Sequence, residues 1–396
     1  MAKMEFKGLF QADIFYEDTS GESTSGGFNK TGGGIQGDNG TDRLAIDLAN
    51  TGNRLYWKWT SDDKKLMTNW QFRPLNANAG ETYGSTAGTI EEAYVQWKLS
   101  PMVTFRIGKS AQIFAINAPS QTVGRDGPTP IVGIGYANIH GGSAREQARV
   151  MIYPADNVRI EFGMFNPDND GTDANALLGA ANAGVNGETV REENVIPRFD
   201  LAVNFKIANF TIEPSLTWLE QEFDQVAAGS DDDLTIWGAA LGVKAAFGPL
   251  SFTAEIATGE NLGNGNYVGA SPLVGNNGAA VFYNPVGAPA NVAIEDTENL
   301  GGFIDVGFKF GPATLHLIYG FLSVENDGDP AVANDAAEYD QTSQMFVVNL
   351  PISVAKGWTI KPEIGWYDND DDATLGGANM DYGDTVCIGV GFILAF

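Results

Sequence analysis

The chain has one cysteine and two histidines in 396 residues. A single cysteine excludes an intrachain disulfide framework and a multi-cysteine metal centre. Two histidines leave little for imidazole catalysis or zinc. Basic charge is also scarce: 23 Lys and Arg stand against 50 Asp and Glu, a net charge of −27. Such a chain lacks the basic footprint of a nucleic-acid binder. No stretch approaches the ~20 apolar residues of a transmembrane helix. The start, Met1-Ala2-Lys3-Met4-Glu5-Phe6-Lys7, has no signal-peptide core, so an exported form would have lost its signal from this numbering. Hydrophobic residues still make up 43% and aromatics 11%, with 49 glycines. That is too apolar for an acidic disordered chain.

What is abundant is period-2 alternation. In 384–396, Val386, Ile388, Val390, Phe392, Leu394 and Phe396 share one face, and Thr385, Cys387, Gly389 and Gly391 the other. Segment 197–207 sets Phe199, Leu201, Val203, Phe205 and Ile207 against Arg198, Asp200, Asn204 and Lys206. Segments 157–166 and 358–367 repeat the pattern. Strands with one apolar and one charged face suit a sheet with lipid outside and water inside.

Connections alternate between short and long. Seven tight turns fall near 61–64, 100–101, 154–156, 208–209, 247–249, 311–312 and 355–357. Between them lie long connections at 18–40, 75–88, 111–142, 167–193, 225–232, 261–298, 326–340 and 369–383. This succession predicts an all-β, antiparallel, up-and-down transmembrane barrel of about 16 strands, with every long loop at one end. The prior of roughly two to three domains for this length gives way to one barrel domain over 1–396. Parity breaks once, between Leu44-Ile46-Leu48 and Leu55-Trp57-Trp59. A bulge near 50–53 or a tight turn explains the break, and the bulge preserves the order of connections.

A soluble β-sandwich is the competing architecture. It is disfavoured because charged residues recur on the second face of many strands. Tyr16, Trp59, Trp70, Trp97, Trp218, Trp237, Tyr319, Trp358 and Trp366 fall near strand ends or on apolar faces, as interfacial aromatics do.

Two segments carry a family likeness. Phe396 ends an alternating strand with Phe392 and Leu394. Segment 93–109, Ala-Tyr-Val-Gln-Trp-Lys-Leu-Ser-Pro-Met-Val-Thr-Phe-Arg-Ile-Gly-Lys, forms a strand–turn–strand ending in Arg-Ile-Gly-Lys. Both resemble the bacterial outer-membrane porins, in which loop 111–142 would be the third loop, folded inward to narrow the pore. The resemblance implies a homotrimer in the Gram-negative outer membrane, among lipid and lipopolysaccharide. It also implies that barrel assembly machinery reads Phe396. Loop 111–142 departs from the family pattern, because its only acid is Asp126, beside Arg125.

Alternation places Arg43, Arg54, Lys58, Arg73, Lys98, Arg106, Arg145, Arg149 and Arg159 on inward faces of the early strands. Later strands add Asp200, Glu213, Glu255, Asp305, His316 and Glu363, with Arg198, Lys206, Lys244, Lys309 and Lys361. Fixed charges bias local ion concentration in a wide pore. Arg43, Arg54, Arg73, Arg106, Arg125, Asp126, Arg145, Arg149 and Arg159 are therefore the candidate pore-lining residues, with Arg106, Arg145 and Arg149 as the core of the set. Any one of them could equally pair with a neighbour.

Acidic runs supply a weak Ca²⁺ alternative to plain solvated loops. Asp168 and Asp170 begin a calcium-loop pattern whose twelfth position is Leu177. Asp368, Asp370 and Asp372 begin another with Ala373 and Asn379 at the diagnostic positions. No other cofactor is expected. Gly133-Ile-Gly135 lacks the third glycine of a dinucleotide loop, and no Gly-x-Ser-x-Gly elbow exists. The expected function is passive diffusion of small hydrophilic solutes and ions, without catalysis. Alternatives are a channel selective for small organic anions, a barrel enzyme, and a surface receptor barrel.

Overall fold

Strand parity builds a single antiparallel ladder in the computed structural model. The structure describes residues 2–19, 41–47, 53–73, 89–120, 139, 144–166, 191–193, 196–224, 233–263, 281–283, 293–326, 340–369, 373–375, 378–380 and 384–396. The strands are β1 (Lys3–Thr19), β2 (Thr41–Asp47 continued by Arg54–Thr60), β3 (Leu66–Arg73), β4 (Thr89–Lys98), β5 (Val103–Ser110), β6 (Arg145–Ala155), β7 (Val158–Phe165) and β8 (Arg191–Glu193 continued by Arg198–Ile207). They continue as β9 (Phe210–Asp224), β10 (Asp233–Phe247), β11 (Leu250–Glu260), β12 (Glu298–Phe310), β13 (Ala313–Glu325), β14 (Asp340–Asn349 continued by Ile352–Ala355), β15 (Trp358–Asn369) and β16 (Asp384–Ala395). The ladder holds 19 segments, and three of them continue a neighbour, which leaves 19 − 3 = 16 strands.

The barrel closes between its ends. β1 pairs with β16 from Leu9↔Ala395 to Thr19↔Thr385. Gly8 and Phe396 then exchange backbone hydrogen bonds of 2.9 and 3.0 Å. Closure removes the open edges that lipid could not satisfy. All seven expected turns are found. Gly357 is needed at its turn, because its φ is +76° and a side chain there would meet the Ala395 carbonyl.

The parity break falls within one strand, β2, rather than at a turn between two, as the bulge reading requires. Both halves pair with β1, at Leu9↔Arg54 and at Asp13↔Asp47. Four steps along β1 face seven along β2, so three extra residues flip the side chains to the other face. Asn53 Oδ1 accepts the Gln11 N–H at 2.7 Å beside it. Two short hairpins inside long connections were not anticipated: Val281–Tyr283 with Ala293–Glu295, and Ala373–Leu375 with Ala378–Met380.

The outward faces carry the apolar residues. Trp97, Leu216, Ile256 and Ile388 are each at least half exposed on the isolated chain, at 53%, 51%, 50% and 50%. Tyr16, Trp70, Trp218, Trp237, Tyr319, Trp358 and Trp366 are exposed on the same surface. A belt of this kind around a whole barrel is what a hydrocarbon surround requires.

Candidate functional site

Segment 111–120 follows β5 and runs along the inner wall. Its contacts are in chain order. The Ala111 N–H donates to Glu92 Oε1 at 3.3 Å, and its carbonyl accepts from Arg149. Gln112 accepts from Arg198. The Ala115 N–H donates to Ser215 Oγ at 3.1 Å, and the Asn117 N–H to Glu255 Oε2 at 3.1 Å. The Ser120 N–H donates to Asp305 Oδ2 at 2.8 Å, its carbonyl accepts from Asn349, and its hydroxyl accepts from Lys361 Nζ at 3.4 Å. Ten residues thus touch inward side chains of β4, β6, β8, β9, β11, β12, β14 and β15. Of the expected loop 111–142, only 111–120 and Ile139 are described. Arg125 and Asp126 lie outside the described residues.

Two kinds of force hold this segment. The buried Glu255 and Asp305 carboxylates accept the Asn117 and Ser120 N–H groups, and arginine, lysine and amide groups donate to oxygens of the segment, so these polar groups keep partners away from water. The second force is apolar. Ile113, Phe114 and Ile139 are fully or almost fully buried, as are the inward residues Leu219, Leu234, Ile236, Ile318, Leu322, Val324, Met345 and Val347. The ideal side-chain position on Gly238 lies 2.7 Å from Phe114 Cζ and 2.9 Å from Leu262 Cδ2, so only glycine leaves room there. Gly242 makes space for the Asn117 amide in the same way.

This apolar inner face differs from the expected uniformly wet lumen. It lies in the long-loop half of β9, β10, β13 and β14, where Leu219, Leu234, Ile236, Ile318, Leu322, Val324, Met345 and Val347 point inward opposite an outward apolar face. Burying the inner face against loop residues stabilises the inward path by roughly 25 cal/mol for each Å² removed from water.

The inward charges divide by exposure. On β7 to β15 the acids Glu161, Asp200, Glu213, Glu255, Asp305 and Glu363 are buried. Glu161 pairs with Arg149 at 2.9 Å and with Arg159 at 2.8 Å. Asp200 pairs with Arg198 at 3.3 Å and accepts from Thr217 at 2.7 Å. Asp305 meets His316 at 2.8 Å, and Glu213 meets Lys244 at 3.3 Å. Several bases, in contrast, keep contact with lumen water. Arg54, Lys58, Arg106, Arg145 and Arg159 are part-exposed, and Lys98, Lys206, Lys244 and Lys309 are exposed.

Arg106 and Arg149 are cross-strand partners on β5 and β6, but they sit differently. Arg106 stacks its guanidinium 4.2 Å from the Tyr94 ring centre and donates to Gln96 at 2.8 and 3.2 Å. Arg149 is buried at the root of segment 111–120. Arg54 donates to the Gln71 side-chain oxygen at 3.2 and 3.3 Å, in the amide orientation that satisfies both. Arg145 lies opposite Ser110. Arg43 and Arg73 are on β2 and β3, with side chains outside the described set. Asp368, the penultimate residue of β15, is half-buried, while Asp168, Asp170, Asp370 and Asp372 lie outside the described residues. Among the described residues no three His, Cys, Asp or Glu side chains converge on a metal position.

This is the fold of the bacterial outer-membrane porins. The outer membrane channel DcaP of Acinetobacter baumannii superposes with a TM-score of 0.69 at 16% identity, over 100% of this chain and 97% of that one. The anion-selective porin of Comamonas acidovorans gives 0.59 at 11% identity, with 100% of each chain covered. OmpF of Salmonella typhi, solved with daunomycin, gives 0.57 at 12% identity, over 100% and 98%. No protein-family model matches the chain, and no curated protein sequence does.

Alternation does not single out Gln112, Ser215, Asn349, Phe114 or Leu262. For the last two, β9, β10, β13 and β14 carry apolar residues at inward parity, a run that alternation alone does not distinguish from an ordinary buried strand.

Proposed function

We propose that the protein is an integral outer-membrane porin, a passive channel for small hydrophilic solutes that favours anions. The observation that carries the reading is the unequal exposure of inward charge. The inward acids Glu161, Asp200, Glu213, Glu255, Asp305 and Glu363 are buried, while Arg54, Lys58, Arg106, Arg145 and Arg159 are part-exposed. An ion in the lumen therefore meets a basic wall on β2, β5, β6 and β7, despite the net charge of −27. In a narrow low-dielectric passage such a wall raises local anion concentration. The exposed apolar belt supports insertion in a bilayer, and no catalytic step is assigned to the barrel. A homotrimer is the assembly proposed for it.

Planar bilayer recording with the refolded protein tests this reading. Three equal conductance steps and a reversal potential on the anion side are expected in a KCl gradient. A silent bilayer would exclude the channel, and a cation-side potential would exclude the anion preference.

A further inference from the structure

We infer that Leu262, at the root of the long connection after β11, is a positioning residue for the constriction: it holds segment 111–120 against the wall through Phe114. The functional part of this inference rests on the porin reading. Leu262 touches no solute in this role and acts through another side chain.

The geometry begins at Asn261, the first residue after β11. Its φ is +55°, a left-handed conformation that asparagine tolerates better than most residues. This turns the chain inward. A ring of hydrogen bonds fixes the turn. Asn261 Nδ2 donates to the Asp296 carboxylate at 2.7 Å and to the Thr235 carbonyl at 3.0 Å. Asn261 Oδ1 accepts the Thr297 N–H at 2.9 Å, and the Asn261 N–H donates to the Thr297 carbonyl at 2.8 Å. The next N–H, that of Leu262, donates to Asn299 Oδ1 at 2.9 Å. Both ends of the long connection, 261 and 296–297, are thereby tied together.

The result is a leucine at the mouth of a long loop that is 0% exposed. Its Cδ2 and Phe114 Cζ converge over the same bare backbone at Gly238. A fully buried leucine and phenylalanine converging on one glycine slot leave neither room to shift without opening a void. Phe114 stands one residue before Ala115, whose N–H is bonded to Ser215. Displacing Phe114 therefore displaces the segment where it crosses β9. The root of the long connection, at Leu262, and segment 111–120, at Phe114, thus meet over Gly238, so a change at the loop root is transmitted to the segment.

The test uses the full barrel refolded in detergent. Ser215→Cys is introduced in a Cys387→Ser background, which puts one thiol beneath Ala115. Maleimide labelling is followed with and without Leu262→Ala, and folding is checked by the heat-dependent shift in gel mobility. Faster labelling with Leu262→Ala, by about tenfold, is expected, because local opening sets access to a buried group. Leu262→Met should keep the slow rate. In bilayers Leu262→Ala should raise open-channel noise and shift conductance. If Leu262→Ala does not refold, Leu262→Val serves, with a smaller acceleration expected. Unchanged labelling in a folded Leu262 variant overturns the inference. A wild-type barrel that passes no current removes the porin reading, while the labelling result still decides whether Leu262 holds the segment.

Discussion

Arg149 and Glu161 form an ion pair of 2.9 Å, with both side chains buried between the barrel wall and segment 111–120. Arg149 also takes Gln147 Oε1 at 2.8 Å and the Ala111 carbonyl. Its charge is thus spent locally, and its task is to fix the root of the segment. Glu161→Gln keeps the shape but leaves a buried arginine without its carboxylate. Removing one partner of such a pair costs on the order of 3 kcal/mol. The denaturant midpoint of the refolded barrel should fall accordingly. An unchanged midpoint would show that the pair contributes nothing.

Arg106 and Arg145 are part-exposed, so under the proposed anion preference they, rather than buried Arg149, are the residues expected to carry selectivity. Arg106→Gln with Arg145→Gln should move the reversal potential toward cations. Arg149→Gln should move it little and disturb conductance instead. The shift should be larger at 0.1 M salt, where the screening length is about 10 Å, than at 1 M, where it is about 3 Å. Equal shifts from Arg149→Gln and the double variant would contradict this division of roles.

Much of the fold was legible because a membrane barrel writes its geometry in parity. Phe199 to Ile207 and Ile360 to Trp366 alternate cleanly, and the turns between β-strands fall at Gly, Pro, Asn and Asp positions. The parity break in β2 was readable for the same reason, since an odd number of extra residues flips Leu44 and Leu55 to different parities. Parity reports which face a residue takes, but not how deeply it is covered. Arg149 and Arg106 were therefore indistinguishable in sequence, although one is a buried anchor and the other a lumen charge. The apolar seat was hidden for a related reason. Ile236 and Ile318 face inward with apolar neighbours on either side, and such a run reads as an ordinary buried strand. Nothing in the alternation says that Phe114 and Leu262, both in loops, come to cover it.

The turn between β2 and β3 gives a pH dependence. The Asp63 carboxylate accepts from the Ser61 hydroxyl at 2.6 Å and from the Lys65 N–H at 3.0 Å. These bonds hold its pKa below the ordinary aspartate value of 3.8, the Ser61 bond contributing most. A depressed folded pKa means that the turn's contribution is present above the unfolded value and lost as pH falls through the folded one. Asp63→Asn should remove the part of the stability loss that occurs below about pH 4. The group is fully exposed, so the effect is small. It is read by comparing the acid limbs of the thermal transitions of the two proteins.

The outward belt makes the sharpest distinction between a membrane barrel and a soluble one. Ile256 on β11 faces outward at 50% exposure, and Thr253 on the same strand faces inward beside Lys244 and Asp305. Lysine at a lipid-facing position near the bilayer midplane costs about 2–4 kcal/mol, and far less in a wet lumen. Ile256→Lys should therefore lower stability in phospholipid vesicles by that order, while Thr253→Lys should stay close to wild type. In a soluble barrel the preference reverses, because an outward lysine would meet water and an inward one a core. Chemical denaturation of both variants in vesicles reads the sign directly.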